Sequence, residues 1–244
     1  MIVNSSVDQS ELEKFDKISE SWWDKNGEFK ILHQINPIRL QFIKDKISLH
    51  WKIQGQQFTD LSILDVGCGG GLVTVPMHKL GANVTGLDAS NNNIKVARSY
   101  AEKHNLSIDY LHCTIEELAA QDLQYDVLLC LELVEHVANI NYFIKSLASL
   151  LKPNGMLILS TLNRTIKSYL LGIIVAEYLL GWVPKGTHDY SKFLKPSELY
   201  HLLYNHQMCL KELKGLTFNP SSGLWSLSDD INVNYFAYAT KNNY

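Results

Sequence analysis

A chain of 244 residues, of which 46% are hydrophobic, is long enough to bury one sizeable α/β core. Its net charge of −3 comes from 22 basic and 25 acidic residues, so the composition predicts no nucleic-acid partner. The four cysteines are widely spaced and include no Cys-x-x-Cys pair, which disfavours both a zinc site and a disulfide framework.

Two helices are predicted before the first strand. Residues 8–21 place Leu12, Phe15 and Ile18 at helical spacing. Pro37 is expected to begin a second helix that runs to about Leu49, because proline is tolerated in a first helical turn.

The rest of the chain alternates strands with helices. The predicted strands are 63–66, 84–88, 108–112, 125–131 and 156–161, and the predicted helices between them are 72–80, 92–104, 114–119 and 140–151. The tail adds a helix at 196–206 and strands at 210–216 and 233–240. This alternation predicts the Rossmann-like α/β class, a mostly parallel sheet with helices on both faces. Ligands of such sheets bind at the carboxyl ends of the strands.

The turn after the first predicted strand carries the strongest functional signal. Asp65 lies in that strand, and Gly67, Gly69 and Gly71 follow at alternate positions. Glycine allows positive φ and lets a ligand approach the main chain, and the next helix offers its N-terminal N–H groups. The second strand ends on Asp88, where an acid can accept hydrogen bonds from a ribose. These features predict a nucleoside-binding half-domain.

The glycine spacing separates two kinds of nucleoside. A dinucleotide fingerprint, Gly-x-Gly-x-x-Gly, would need its third glycine at Leu72 or Thr74. The chain instead has Gly-x-Gly-x-Gly with an acid two residues upstream, which suits a ligand with a cationic amino group. This pattern resembles the S-adenosylmethionine (SAM) motif of class I methyltransferases.

Residues 169–183 form an apolar segment that a plain fold of this class does not need. Glu177 interrupts it, and about 15 residues are too few to span a bilayer. The segment is either a lid that closes over an apolar substrate or dips into a membrane surface, or an ordinary buried helix. In the polar loop that follows, His188 and Asp189 either point back over the site or are solvated. Three aromatic residues of the segment suit an apolar–aqueous boundary: Tyr169, Tyr178 and Trp182.

Several stretches of the sequence together resemble one family closely. They are residues 29–40, the glycine motif, 132–137, 160–164, 183–189 and 233–235. They are similar to the ubiquinone-biosynthesis O-methyltransferases over nearly the whole chain. The resemblance implies a class I methyltransferase with a seven-stranded sheet. It also implies that SAM is used to methylate catechol-type hydroxyls of polyprenylated precursors, namely 2-polyprenyl-6-hydroxyphenol and 3-demethylubiquinol.

The resemblance also implies how the chain is organised. Residues 1–55 are expected to form an N-terminal helical extension that covers the SAM site, and residues 56–244 the methyltransferase domain with an insertion at about 164–195. Because a polyprenyl tail keeps the substrate in the bilayer, residues at about 168–183 are expected to bind the inner membrane face peripherally. The body is expected to be cytoplasmic, with other ubiquinone-pathway proteins as further partners.

Four residues are carried over from the family as SAM contacts. Arg39 would pair with the methionine carboxylate, since a guanidinium recognises a carboxylate bidentately. Gly67 would allow close main-chain approach, Asp88 would hold the ribose hydroxyls, and Leu131 would contribute its backbone at the end of the fourth strand. Without the resemblance, Arg39 would be taken for an exposed helix arginine.

Glu132, Glu135 and His136 are the candidates for making the phenol a phenolate. At positions i, i+3 and i+4 they would share one face of a helical turn. Such a set could bind a divalent cation such as Mg²⁺ together with the catechol oxygens. Alternatively, His136 acts as a base without a metal and is oriented by Glu132 or Glu135, or the three residues only shape the loop. We predict His136 and Glu135 as catalytic residues and all three as metal ligands.

Two other functions fit part of the pattern. The first is a class I methyltransferase for another small amphiphile or carboxylate, against which the specific loop at 184–189 argues. The second is a lipid-binding protein that holds SAM without turnover. The intact acids and histidine at 132–136 argue against that dead site.

Overall fold

The computed structural model describes residues 5–55, 57–171, 173–174 and 186–242. Within these ranges one sheet is formed by the strands Ser62–Val66 (β1), Asn83–Asp88 (β2), Asp109–His112 (β3), Tyr125–Leu131 (β4), Leu151–Leu162 (β5), Met208–Asn219 (β6), Leu224–Ser228 (β7) and Asn234–Lys241 (β8). Their order in the sheet is β3-β2-β1-β4-β5-β8-β6-β7. The neighbouring strands from β3 to β5 pair in parallel. The remaining three pairs, β5–β8, β8–β6 and β6–β7, are antiparallel.

This sheet confirms the predicted Rossmann-like α/β class. It has one strand more than the expected seven, because β7 pairs with β6 at the edge. The alternation of polar and apolar residues predicts β7 only weakly. The reason is that an apolar residue of this strand, Leu224, is 66% exposed.

Eight helices accompany the sheet in the described ranges. They are Gln9–Ile18 (α1), Lys30–Trp51 (α2), Thr74–Lys79 (α3), Asn91–Lys103 (α4), Ile115–Ala119 (α5), Ile140–Leu150 (α6), Ile166–Ser168 (α7) and Pro196–Asn205 (α8). Short 3₁₀ turns lie at Ser19–Ser21, Val134–His136 and Tyr190–Lys192.

The start of the second helix was predicted wrongly. α2 begins at Lys30 and carries Pro37 in its interior. Proline removes one backbone hydrogen bond and disfavours the turn before it, at a cost of about 3 kcal/mol. The helix continues because its inner face is buried, and each fully buried large apolar side chain contributes about 1.5–3 kcal/mol. Its buried apolar residues are Ile35, Phe42, Ile43 and Ile47.

Alternating side chains of β5 divide the apolar core into two layers. Leu159 belongs to the layer that packs under α6 and α8, and Ile158 to the layer under α2. Successive residues of a strand point to opposite faces of the sheet. Ser160 and Thr161 continue this alternation at the carboxyl end of β5, where their hydroxyls bind the carboxylates of Glu132 and Glu135.

The predicted apolar insertion at 169–183 lies largely outside the described residues, which include only 169–171 and 173–174 of it. Just before and within it, several apolar side chains are exposed: Ile166, Tyr169, Leu170 and Leu171. Across the described ranges, no helix combines the length and the apolar character needed to cross a membrane.

Candidate active site

A cavity of about 940 Å³ lies at the carboxyl edge of the parallel strands. Its walls come from the glycine turn after β1, the ends of β2 and β4, the helices α1 and α2, and β6. Six of the seven predicted site residues line it, and Glu135 does not. The six are Arg39, Gly67, Asp88, Leu131, Glu132 and His136.

The glycine turn has the backbone that its sequence predicts. Gly67, Gly69 and Gly71 have φ of 69°, 54° and 90°. The space beside them, however, is filled by side chains of the protein. A Cβ on Gly67 would lie 2.7 Å from Leu133, and a Cβ on Gly69 would lie 2.2 Å from the ring of Trp22. The expectation that these glycines make room for a ligand is therefore corrected at Gly69, which receives an indole from the N-terminal segment.

Asp88 is tied to the same turn. Its carboxylate accepts hydrogen bonds from the backbone N–H of Gly69 at 2.9 Å and of Ser90 at 2.8 Å, and from the Asn93 amide at 3.3 Å. Burial raises the pKa of Asp88, and these hydrogen bonds work in the opposite direction. The Trp22 indole N–H in turn donates to Asn93 at 2.8 Å. The acid, the turn and the N-terminal segment thus form one hydrogen-bonded unit.

Arg39 brings a positive charge from α2 into the cavity wall. The side chain is buried, and its Nε and Nη1 have no hydrogen-bond partner among the described residues. Burial lowers the pKa of Arg39, while the carboxylates of Glu132 and Asp65 raise it. A buried guanidinium with two unpartnered nitrogens is costly, and the fork geometry suits a carboxylate. The cavity therefore contains a cationic position shaped for an anion.

Asp65 completes the charged group at this edge. Its carboxylate accepts a hydrogen bond from the Thr74 hydroxyl at 2.6 Å. Burial raises the pKa of Asp65 to about 6, although the hydroxyl of Thr74 and the charge of Arg39 both lower it. The acid is therefore ionised above pH 6 and faces the cavity two residues before the glycine turn.

Glu132 and Glu135 do not share a face, so that prediction is wrong. Glu132 accepts a hydrogen bond from the Ser160 hydroxyl at 2.8 Å, and Glu135 accepts one from the Thr161 hydroxyl at 2.8 Å. Because these hydroxyls come from consecutive residues of β5, the two carboxylates are held towards opposite faces of the sheet. The helical turn assumed in the prediction is absent at Glu132, whose φ is 50°, and a 3₁₀ turn begins only at Val134.

This arrangement also bears on the predicted metal ligands. In the part of the chain that the structure describes, no group of three His, Cys, Asp or Glu side chains is placed to hold a metal ion. The proposed set of Glu132, Glu135 and His136 is not assembled, because Glu135 is buried behind the cavity wall. Glu135 does not line the cavity, and its catalytic role stays a prediction.

His136 reaches the cavity and is oriented by an acid that was not predicted. Its Nδ1 lies 2.9 Å from Oε2 of Glu11 on α1. This hydrogen bond lowers the pKa of Glu11 to about 2. Burial lowers the pKa of His136, and this effect outweighs the opposing contribution of Glu11. The imidazole is thus neutral at neutral pH, and Nε2 is the ring nitrogen left for a substrate.

Comparison with known proteins identifies the family. Two proteins called "Ubiquinone biosynthesis O-methyltransferase" are 56% identical to this chain: one from Rickettsia akari, over 95% of this chain and 91% of the relative, and one from Rickettsia bellii, over 98% of each. The chain belongs to the ubiquinone biosynthesis O-methyltransferase family. A family model described as "Methyltransferase domain" also matches residues 64–159. The predicted family and the predicted enzyme class, an O-methyltransferase, are confirmed.

Solved structures support the same fold. The magnesium protoporphyrin IX methyltransferase of Synechocystis PCC 6803 with bound SAH has a TM-score of 0.63 at 20% identity, with 94% of each chain covered. The plantazolicin methyltransferase BpumL in complex with SAH has a TM-score of 0.62 at 21% identity, with 96% of this chain and 97% of that chain covered. At such identities the likeness concerns the fold alone.

Sequence reasoning missed the residues that α1 and the following turn contribute to the site. Glu11 lies in the first turn of α1, where acids are common because they favour the positive end of the helix dipole, so it gave no functional signal. Trp22 and Asn93 had no motif to mark them. The one available hint was that an acid, Glu11, stands beside Leu12 and Phe15 on the inner side of an amphipathic helix.

The buried Glu135 gives a testable prediction about stability. Burial and the nearby Glu132 raise the pKa of Glu135 to about 8, whereas an unfolded glutamate titrates near 4.3. Between these values the folded state holds a proton that the unfolded state releases, so this group's contribution to stability is lost as pH rises. Glu135→Gln should therefore unfold at a higher temperature than the wild type at pH 8, with a smaller difference at pH 5.

Thermal unfolding at both pH values measures this effect. Glu13→Gln is the matched control, because Glu13 is exposed and the chemical change is the same. An equal shift for Glu135→Gln at pH 5 and pH 8 would contradict a raised pKa.

Proposed function

We propose that this chain transfers a methyl group from SAM to a catechol-type hydroxyl of a polyprenylated phenol or quinol. The candidate substrates are 2-polyprenyl-6-hydroxyphenol and 3-demethylubiquinol. The substrate chemistry follows from the resemblance to the ubiquinone biosynthesis O-methyltransferases. What supports it in this chain is a cavity that combines charged groups at the sheet edge with an apolar wall, lined for example by Leu12, Phe15, Leu133 and Phe143.

One observation carries the assignment of SAM. Nε and Nη1 of Arg39 are buried without partners among the described residues, and Arg39 lines the cavity, where the methionine carboxylate of SAM would accept hydrogen bonds from this guanidinium. Asp88, at the end of β2, would accept hydrogen bonds from the ribose hydroxyls, and Gly67 and Leu131 would approach through their backbone. The acid at Asp65 favours the cationic amino group.

For this reaction the protein must deprotonate the substrate hydroxyl and align its oxygen with the methyl group. SAM supplies a methyl group on a sulfonium, which is already a good leaving group. His136 takes the proton of the substrate hydroxyl on Nε2, so that the attacking oxygen is a phenolate. The cavity walls hold that oxygen in line with the methyl carbon and exclude water. A C–O bond forms as the C–S bond breaks, which gives a methyl ether and S-adenosylhomocysteine, and His136 then releases its proton to solvent.

The proposal includes the predicted N-terminal extension that covers the SAM site. Residues 1–55 would close over SAM, since Trp22 packs against the glycine turn and is hydrogen-bonded to Asn93. Arg39 also comes from this part of the chain. The cofactor would therefore be held between the sheet edge and the N-terminal helices.

Mg²⁺, the second predicted cofactor, does not fit the residues in the way we expected. Glu132 and His136 line the cavity, but Glu135 does not. The mechanism above therefore contains no metal-dependent step. Whether a divalent cation stimulates the reaction is decided by the chelator arm of the assay below.

Peripheral association with the inner membrane face is proposed for the segment at about 168–183. Its described part exposes apolar side chains, and Leu171 is 43% exposed while it also lines the cavity. The cavity thus reaches the surface beside an apolar patch. A prenyl tail could remain in the bilayer there while its head group occupies the cavity.

The central test is methyl transfer from labelled SAM to a short-chain prenylated catechol. We expect turnover by the wild type, and a loss of about 10²–10⁴-fold in kcat for His136→Gln with SAM affinity unchanged. His201→Gln is the matched control, because His201 is exposed on α8.

The same assay is repeated with Mg²⁺ and with chelator. Turnover that is lost with chelator and restored by metal would reinstate a metal-dependent step. No product from any catechol, despite SAM binding, would overturn the proposed function.

The cover over the cofactor is tested by two glycine variants. Gly69→Ala should displace Trp22 and weaken SAM binding by at least about 10-fold, or 1.4 kcal/mol. Gly223→Ala is the control, because Gly223 has a φ of 69° but a Cβ there would meet nothing within 4 Å. Isothermal titration with SAM measures both affinities. Equal affinities for the two variants would contradict a role for Trp22 in closing the site.

Membrane association is tested with vesicles of phosphatidylethanolamine and phosphatidylglycerol. Leu170→Asp should reduce co-sedimentation of the protein, because Leu170 is 47% exposed in the apolar patch. Leu49→Asp is the control, since Leu49 is 67% exposed on α2. Turnover of a water-soluble catechol should remain unchanged in both. Co-sedimentation of Leu170→Asp at the wild-type level would count against the proposal.

A further inference from the structure

The N-terminal helix α1 has an unusual inner face. The one buried residue of this helix is an acid, Glu11. An acid is rarely buried without a specific partner, because removing a carboxylate from water is costly. Apolar side chains such as Leu12 and Phe15 are only partly buried beside it. Hydrophobic packing alone therefore does not explain why α1 docks with this residue inwards.

Glu11 meets His136 at that buried position. Their side chains are 8% and 9% exposed, and Oε2 of Glu11 lies 2.9 Å from Nδ1 of His136. The two residues are 125 positions apart in the sequence. Phe15, one turn further along α1, places its ring edge-on to the imidazole at 5.0 Å. The imidazole thus contacts two side chains of α1, and the ring of His188 lies 6.0 Å from it.

We infer that Glu11 is a positioning residue for the methyl transfer, which fixes His136 in the tautomer that leaves Nε2 free to accept the substrate proton. The inference rests on the proposed function, in which His136 is the base. An ionised carboxylate can only accept hydrogen bonds, so Nδ1 must carry the ring proton. Nε2 then holds the lone pair of a ring that lines the cavity.

Other contacts keep Glu11 ionised and in place. Oε1 of Glu11 accepts hydrogen bonds from Lys14 at 3.0 Å and from Lys192 at 3.4 Å. Lys192 also bridges to Asp8, the residue that caps α1, at 2.8 Å. Lys192 follows the loop at 186–189, so the acid that orients the base contacts a side chain from that part of the chain as well. The tautomer of His136 thus depends on the docked position of α1.

The test uses the full-length protein with ¹⁵N-labelled histidine. A two-bond ¹⁵N–¹H correlation spectrum reports which ring nitrogen of His136 carries the proton, and His136→Gln assigns the signal. In the wild type we expect the Nδ1–H tautomer. In Glu11→Gln the introduced amide can donate to Nδ1, so Nε2–H should become populated. Methyl transfer should then lose at least about 10-fold in kcat, with the KM for SAM within about 2-fold.

Two further variants separate positioning from folding. Glu13→Gln makes the same change at an exposed residue of α1 and should leave the tautomer and kcat as in the wild type. Glu11→Asp keeps the charge and should restore the Nδ1–H tautomer and part of kcat. A wild-type tautomer and wild-type kcat in Glu11→Gln would overturn the inference. Absence of turnover in the wild type would instead overturn the proposed function, while the spectrum would still report on Glu11.

Discussion

The buried guanidinium of Arg39 is the charge around which the site is arranged. Taking such a group out of water costs several kcal/mol unless other charges and hydrogen bonds compensate. The carboxylates of Glu132 and Asp65 supply part of that compensation, and two nitrogens remain without partners in the described structure. Glu132 has a positive φ, a backbone conformation that costs about 1–3 kcal/mol for a residue other than glycine. Hydrogen bonds to the backbone oxygen and from the hydroxyl of Ser160 hold it in this conformation. An anionic ligand would complete this balance of charge.

The position of Arg39 depends in turn on helix α2, which precedes the sheet in the chain. The methyltransferase family model matches residues 64–159, that is, the glycine turn and the central parallel strands. Arg39, Trp22 and Glu11 all lie before that stretch. The central strands thus provide the general nucleoside-binding edge, and the N-terminal helices provide the positive charge, the indole on the glycine turn and the acid on His136.

Helix α1 is joined to distant parts of the chain by polar contacts. Lys192 connects it to the loop before α8, and Asp16 is hydrogen-bonded to Ser90, the cap of α4. Partly exposed ion pairs of this kind typically contribute about 0–1 kcal/mol each. Phe15 and Ile18 add apolar packing against the cluster of Trp22, Phe29 and Leu72. The docking of α1 beside His136 thus combines ion pairs with apolar packing.

The sequence by itself determined the architecture and the location of the site. Periodicity predicted seven strands and the main helices, since each buried strand or amphipathic helix leaves its own local pattern. The alternate glycines and Asp88 pointed to the right edge of the sheet, because the carboxyl ends of parallel strands meet there. Arg39 and His136 became site candidates only through the family resemblance and the local Glu-x-x-Glu-His spacing.

Tertiary structure decided which of these side chains act together. Glu132 and Glu135 looked equivalent in sequence, but consecutive hydroxyls of β5 hold them towards opposite faces of the sheet. Glu11 became the partner of His136 although 125 residues separate them, and no local pattern encodes a contact at that distance. Local propensity favours a helix start at Pro37, whereas burial of the inner face of α2 carries the helix through this residue. Short-range patterns therefore specify elements and edges, and the packing of distant elements specifies partners.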